Sequence, residues 1–143
     1  MQDCIFCQII AGESPGSIFY EDEVVIGLMT IGPITRGHAM VIPKKHAANL
    51  SELDEATGRH VWTIAQRTSA AIRASGVRCE GVNLFLADGK AAFQDVFHVH
   101  LHVIPRYAGD PFKIFADWEE KPEREELDKV SQQIKTAYDC LWC

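Results

Sequence analysis

Residues 97–104 read Phe-His-Val-His-Leu-His-Val-Ile, and no other stretch constrains the fold of this chain as strongly. In a β-strand, successive side chains point to opposite faces. His98, His100 and His102 therefore share one face, and Phe97, Val99, Leu101 and Val103 share the other. The apolar face demands a core behind it. A solvated strand face would mix Thr, Lys, Glu and Ser, so three imidazoles in register point to chemistry. One metal ion cannot take all three. A rise of about 3.4 Å per residue sets His98 and His102 about 13 Å apart, against metal–nitrogen bonds of about 2.0–2.1 Å. The three must divide their labour. A neutral imidazole can attack phosphorus when its other nitrogen is hydrogen-bonded, and the resulting N–P bond is labile when protonated. The middle residue, His100, has a polar neighbour on each side and suits the nucleophile.

The period of the apolar residues changes several times along the chain. Strands are expected over 17–20, 24–29, 38–42, 82–87 and 97–104, with Pro43 and Pro105 closing the third and fifth. A helix is expected over 54–75. Asp54 is its N-cap, Val61, Ile64, Ala65, Thr68 and Ile72 follow helical spacing, and Gly76 suits the position past its last turn. His60 reads as a solvent-facing residue of this helix. A second helix begins near Pro122, with Leu127, Val130, Ile134 and Leu141 on one stripe. This order predicts an α+β fold in which helices pack on an antiparallel sheet.

The 143 residues fit one domain, 1–143, and 47% hydrophobic content is enough for a core without disulfide staples. The net charge of −6 argues against nucleic acid as a partner. Its distribution matters more than its sum. Residues 117–128 hold seven acidic and two basic side chains, which accounts for −5, whereas 33–50 carry Arg36, Lys44 and Lys45 with no acid. A small phosphate ligand is thus compatible with the charge. No export signal and no apolar run of about 20 residues is present, so a cytoplasmic protein without a membrane anchor is expected. Five cysteines do not make a secreted disulfide framework. Cys4-x-x-Cys7 has the spacing of half a zinc site or of a redox dithiol, and no thioredoxin-like context supports the latter. Cys79, Cys140 and Cys143 read as incidental.

The run His98-Val-His100-Leu-His102-Val-Ile resembles the histidine-triad signature of the HIT family of nucleotide hydrolases and transferases. The opening CIFCQIIAGE, the stretch PITRGHAMVIPKKH and the block GVNLFLADGKAAFQDVFHVHLHVIPRYAGD also resemble HIT segments in the same order. The resemblance implies a HIT-like, five-stranded, mostly antiparallel sheet with one long and one C-terminal helix. It implies that His100 is the nucleophile and forms a nucleotidyl-histidine. His102 would contact phosphate, Gln94 would lie near the bridging or leaving oxygen, and His38 would sit behind the nucleophile. Ile5, Phe6, Ile9 and Leu28 would line the base, although apolar spacing alone makes them plain core. Ile31 would lie near the sugar. A subset of the family completes the Cys pair into a structural zinc site, and the matching positions are Cys4, Cys7, His46 and His98.

Four positions depart from the family pattern. Thr30 stands where many members have an Asp for the ribose hydroxyls, Ala87 where many have Asn, Phe93 where bacterial members often have Gly, and Asp95 where Ser or Thr contacts phosphate. The reading is a hydrolase that cleaves a phosphoanhydride or phosphoramidate bond at a nucleoside-bound phosphate. The partner is a purine nucleotide such as an AMP or GMP moiety, and a homodimer is implied. The departures keep open a nucleotide-binding or sensor protein with vestigial activity. A zinc-dependent hydrolase is a third reading.

Overall fold

The computed structural model describes residues 4–142. Five strands, β1 (Ile18–Glu21), β2 (Val25–Met29), β3 (Ala39–Pro43), β4 (Gly81–Leu86) and β5 (Leu101–Arg106), form one sheet in the order β1-β2-β3-β5-β4. Every neighbouring pair is antiparallel. The helices are α1 (Ile5–Ile10), α2 (Glu55–Ala74) and α3 (Arg124–Trp142). The chain divides after Phe112 into two compact units, the first holding the sheet with α1 and α2, the second holding α3. No described helix is long and apolar enough to cross a membrane.

The two faces of the sheet are covered differently, and strand alternation is the reason. Val25, Ala39, Val41, Leu101 and Val103 pack with Val61, Ile64, Ala65 and Ile72 of α2. The intervening residues Ile26, Leu28, Met40 and Ile42 meet Phe6 and Ile9 of α1 on the opposite face. Asp54 caps α2 through its side chain, which accepts the Thr57 N–H at 2.9 Å. Because α2 covers one face along its length and α1 only part of the other, the second face has room for a site. In α3, Glu125 and Glu126 occupy the first turn, where negative charge complements the helix dipole. Leu127, Val130, Ile134 and Leu141 are all exposed.

Four differences from the sequence reading have physical causes. The triad strand begins at Leu101, not Phe97. The His98 N–H bonds Val96 O at 2.9 Å and the Val99 N–H bonds Ala47 O at 2.7 Å, so this stretch follows a turn rather than a ladder. Phe97, without a strand to face it inward, is exposed. The fifth strand also runs through Pro105 to Arg106. The β3 ladder ends at Ala39↔Val103, so a proline two residues further removes no bond to β3. Helix α1 was not expected; at six residues it is too short for a periodic signal. His60 is half-buried, its Nε2 lying 2.6 Å from the Asp22 carboxylate, which also accepts the Tyr20 hydroxyl at 2.8 Å. These bonds and the backbone N–H groups of Val24 and Val25 hold the Asp22 carboxyl below the usual carboxylate range. Residues 1–3 and Cys143 lie outside the described residues.

Ile64 is 1% exposed at the centre of the α2 interface. Ile64→Ala should lower unfolding free energy by about 2–5 kcal/mol, read as a fall in the urea midpoint at unchanged slope.

Candidate functional site

The site begins at a glycine. Gly37 has φ +92°, and a Cβ built there would lie 2.7 Å from Val77 Cγ1 and 3.3 Å from Pro105 Cγ. Only glycine fits this turn without displacing its neighbours, and the turn delivers His38 to the start of β3 as a buried side chain. Met40 of β3 pairs with His102 of β5, so His38 and His102 approach each other across the two strands. Their rings are 5.0 Å apart, and His38 Nε2 lies 2.9 Å from His102 Nδ1.

Backbone groups settle which nitrogens carry protons. The Ile34 N–H donates to His38 Nδ1 at 3.2 Å, so that nitrogen holds a lone pair. The His38 proton is then on Nε2, which donates to His102 Nδ1. His102 in turn carries its proton on Nε2. In His100, Nδ1 donates to the His98 carbonyl at 2.7 Å, leaving the lone pair on Nε2. The His100 and His102 rings are 4.8 Å apart and 79° from coplanar. A lone pair on one imidazole and an N–H on the next thus occupy adjacent positions, a pairing suited to attack on phosphorus with a donor for its oxygens.

His98 belongs to a different assembly. Its Nε2 donates to Pro43 O at 2.8 Å, so Nδ1 carries the lone pair. That nitrogen lies 3.4 Å from Cys4 Sγ, 3.6 Å from Cys7 Sγ and 3.2 Å from His46 Nδ1, and Cys7 Sγ lies 3.4 Å from His46 Nδ1. A tetrahedron with usual zinc–sulfur and zinc–nitrogen bonds has edges of about 3.6 Å between S and N and about 3.3 Å between N and N. The four donor atoms lie within 4.8 Å of one another, so the cluster fits a tetrahedral metal ion. A carbonyl behind one imidazole is the usual orienting partner of a metal-ligating histidine. Burial and the neighbouring Cys4 push the Cys7 thiol up.

The expected base-lining residues separate. Phe6, Ile9 and Leu28 are buried in one cluster, with the Phe6 ring edge-on to His100 at 5.1 Å and to His98 at 5.9 Å. Ile5 and Ile31 are exposed. Thr30 is half-buried, and its hydroxyl accepts the Gly32 N–H at 3.3 Å. Gln94 is buried and fully engaged by backbone: its oxygen accepts the Gly89 N–H at 2.8 Å, and its nitrogen donates to Ala48 O at 2.7 Å and Val96 O at 3.2 Å. It pins the loop that leads into the triad. Ala87 is buried, while Phe93 and Asp95 are exposed. Sequence reasoning missed the main-chain partners of the site, namely Ile34 N–H and the carbonyls of Pro43, Ala48 and His98. No side-chain identity encodes them.

Burial lowers the basicity of both relay histidines. His102 is pushed down to about 4, first by burial and then by the neighbouring His100 and His38, with Asp95 pulling the other way. Burial also lowers His38. Both rings are neutral near pH 7, as the proton assignment requires.

A fold of this kind, with one triad histidine in a cluster that fits a metal ion and the other two side by side with opposite proton patterns, defines a histidine-triad protein. A family model described as HIT domain matches residues 11–109, and the chain belongs to that family. It is 39% identical to "Protein hit" of Bacillus subtilis, over 93% of this chain and 92% of that one. "Adenosine 5'-monophosphoramidase hnt1" of Schizosaccharomyces pombe is 31% identical over 93% and 96% of the two chains, and "Adenylylsulfatase HINT3" of Arabidopsis thaliana is 33% identical over 97% and 68%. Among solved structures, a HIT family protein of Bacillus anthracis superposes with a TM-score of 0.86 at 35% identity, covering 94% of this chain and 96% of that one. A Zn-bound histidine triad family protein of Mycobacterium smegmatis superposes with a TM-score of 0.76 at 41% identity, covering 95% and 98%.

Stability should follow the relay. An unfolded histidine titrates near 6.5, and His102 in the fold near 4. Between those values the unfolded chain binds more protons, so stability is full above about pH 6.5 and declines as pH falls toward 4. Thermal unfolding midpoints measured across pH 4–7 should drop with acidification, and His102→Asn should flatten that slope.

Proposed function

We propose that the protein is a nucleotide hydrolase that cleaves a phosphoanhydride or phosphoramidate bond at a nucleoside-bound phosphate. The observation that carries this reading is the fixed proton pattern, with a lone pair on His100 Nε2 beside the N–H of His102 Nε2. His100 Nε2 attacks phosphorus and forms an N–P bond. The bond to the leaving group breaks, and its electron pair departs with that group. The His100 ring gains positive charge, which the His98 carbonyl stabilises through Nδ1–H. The His102 N–H bonds a phosphate oxygen as negative charge develops there. Being neutral, it serves as a hydrogen-bond donor. Water then adds to phosphorus, the N–P bond breaks, and a nucleoside monophosphate leaves with neutral His100 restored.

His38 is a positioning residue, since it fixes the His102 tautomer. Gln94 holds the loop. Phe6, Ile9 and Leu28 offer an apolar floor to a purine such as that of AMP or GMP, with Ile5 and Ile31 at its rim and Thr30 near the ribose. The hydrolase names printed for the fission-yeast and Arabidopsis relatives support the reaction class. The reading also includes a cytoplasmic homodimer, which sedimentation would test.

Cys4, Cys7, His46 and His98 would hold zinc. All four positions of a tetrahedral ion are taken by protein donors, so the metal would stabilise the fold and bind no substrate. The Zn-bound relative supports this assignment.

His100→Ala should abolish AMP release from both substrate classes while calorimetry still detects AMP binding. Wild-type rates in that variant would overturn the reading. Tight AMP binding by the wild type without turnover of any substrate would mark a sensor instead. Chelation should lower the thermal midpoint, with activity lost only as the protein unfolds. Activity lost from folded protein would instead make the metal catalytic. Because zinc must displace the proton of a raised Cys7 thiol, metal retention should weaken as pH falls.

A further inference from the structure

The loop between β2 and β3 holds a buried hydroxyl to which the chemistry above gives no task. Thr35 is 4% exposed, and its Oγ1 donates to the Pro105 carbonyl at 2.7 Å. The β3 ladder to β5 ends at Ala39↔Val103, so this bond ties the loop to β5 two residues beyond the last rung. Pro105 is fully buried within β5, which makes its carbonyl a fixed anchor. Thr35 also opens a tight turn. The His38 N–H donates to the Thr35 carbonyl at 3.1 Å, and Gly37 between them has φ +92°. Arg36 lies outside the positive-φ region, so the turn is of type II. One residue before Thr35, the Ile34 N–H donates to His38 Nδ1 at 3.2 Å. The remaining hydrogen bonds of residues 31–37 stay within 30–38. Among the described residues, the Thr35 hydroxyl is therefore the one hydrogen bond that holds this loop to β5, the strand that carries His102.

That bond bears on a tautomer. With the Ile34 N–H in place, His38 Nδ1 keeps its lone pair, Nε2 donates to His102 Nδ1, and His102 carries its proton on Nε2. Without it, His38 is free to carry its proton on Nδ1. Its Nε2 then accepts from His102 Nδ1, and His102 Nε2 becomes a lone pair. A donor for a phosphate oxygen is thereby replaced by an acceptor that repels it. The two rings switch together, because one hydrogen bond joins them. We propose that Thr35 is a positioning residue whose hydroxyl, anchored on Pro105, holds the Ile34 N–H against His38 and so keeps His102 a hydrogen-bond donor. The tautomer effect stands on this geometry alone, and its effect on rate rests on the hydrolase reading above.

The test pairs Thr35→Val, which keeps the shape and removes the donor, with Thr35→Ser, which keeps the donor and removes a methyl group. Nitrogen NMR of histidine-labelled protein near pH 7 reads the tautomers, and spectra of His38→Asn and His102→Asn assign the signals. Wild type and Thr35→Ser should show both rings protonated on Nε2 only. Thr35→Val should show a second population protonated on Nδ1 of both rings. Its kcat for AMP release from an adenosine phosphoramidate or a dinucleoside tetraphosphate should fall about tenfold with KM little changed, and Thr35→Ser should recover it. A merely structural loss would lower the folded fraction and leave the tautomers of the folded protein as in wild type. If Thr35→Val does not fold, Thr35→Cys keeps a weaker donor and should show the same changes to a smaller degree. Other tautomers in wild type, or wild-type tautomers or kcat in whichever of these two folded variants is used, would overturn the proposal. If wild type releases AMP from neither substrate, the hydrolase reading fails, and the tautomers alone decide the role of Thr35.

Discussion

His98 joins the cysteine cluster, the end of β3 and the His100 ring. Its ring donates through Nε2 to the Pro43 carbonyl at the end of β3, and its Nδ1 faces two thiols and the His46 imidazole. Its own carbonyl accepts the His100 Nδ1 proton. One residue therefore ties the N-terminal Cys pair to the central strand and fixes the tautomer of its neighbour but one. Moving the His98 backbone would disturb all three at once, so the geometry of the candidate metal cluster and the orientation of the His100 ring are linked.

A second chain of bonds runs in parallel from Ile34 N–H through His38 to His102. Both chains start or end on main-chain groups, whose donor and acceptor roles cannot change. This gives two adjacent imidazoles opposite protonation patterns at one pH, with a lone pair on one and an N–H on the other. Burial of His38 and His102 keeps both rings neutral, so the pattern does not depend on a counter-charge. The arrangement sits on the sheet face that α1 covers in part, while α2 closes the opposite face with an apolar core.

Much of this was legible in the chain. The alternation of His98, His100 and His102 with Val99, Leu101 and Val103 separates a chemical face from a core face, and the buried state of those apolar residues agrees with it. The α2 boundaries follow from Asp54 and from helical spacing, and the positions of the strands along the chain follow from the apolar period, whereas their order in the sheet does not. Less legible were Phe97 and His60. Phe97 obeys the alternation but lies before the strand begins, so the pattern continued where the backbone did not. Nothing near His60 in sequence signals its Asp22 partner, 38 residues away.

The sequence by itself determined which residues could do chemistry, because imidazole and thiol spacing on strands and turns limits what they can share. It could not decide what each histidine does. That depends on which main-chain group meets each ring nitrogen, and every residue except proline offers the same N–H, while all offer the same carbonyl. Only the tertiary structure brings Pro43 O to His98, His98 O to His100 and Ile34 N–H to His38. Three identical side chains within five residues thereby become a candidate metal ligand, the proposed nucleophile and a hydrogen-bond donor, and the bonding partner of each ring makes the difference.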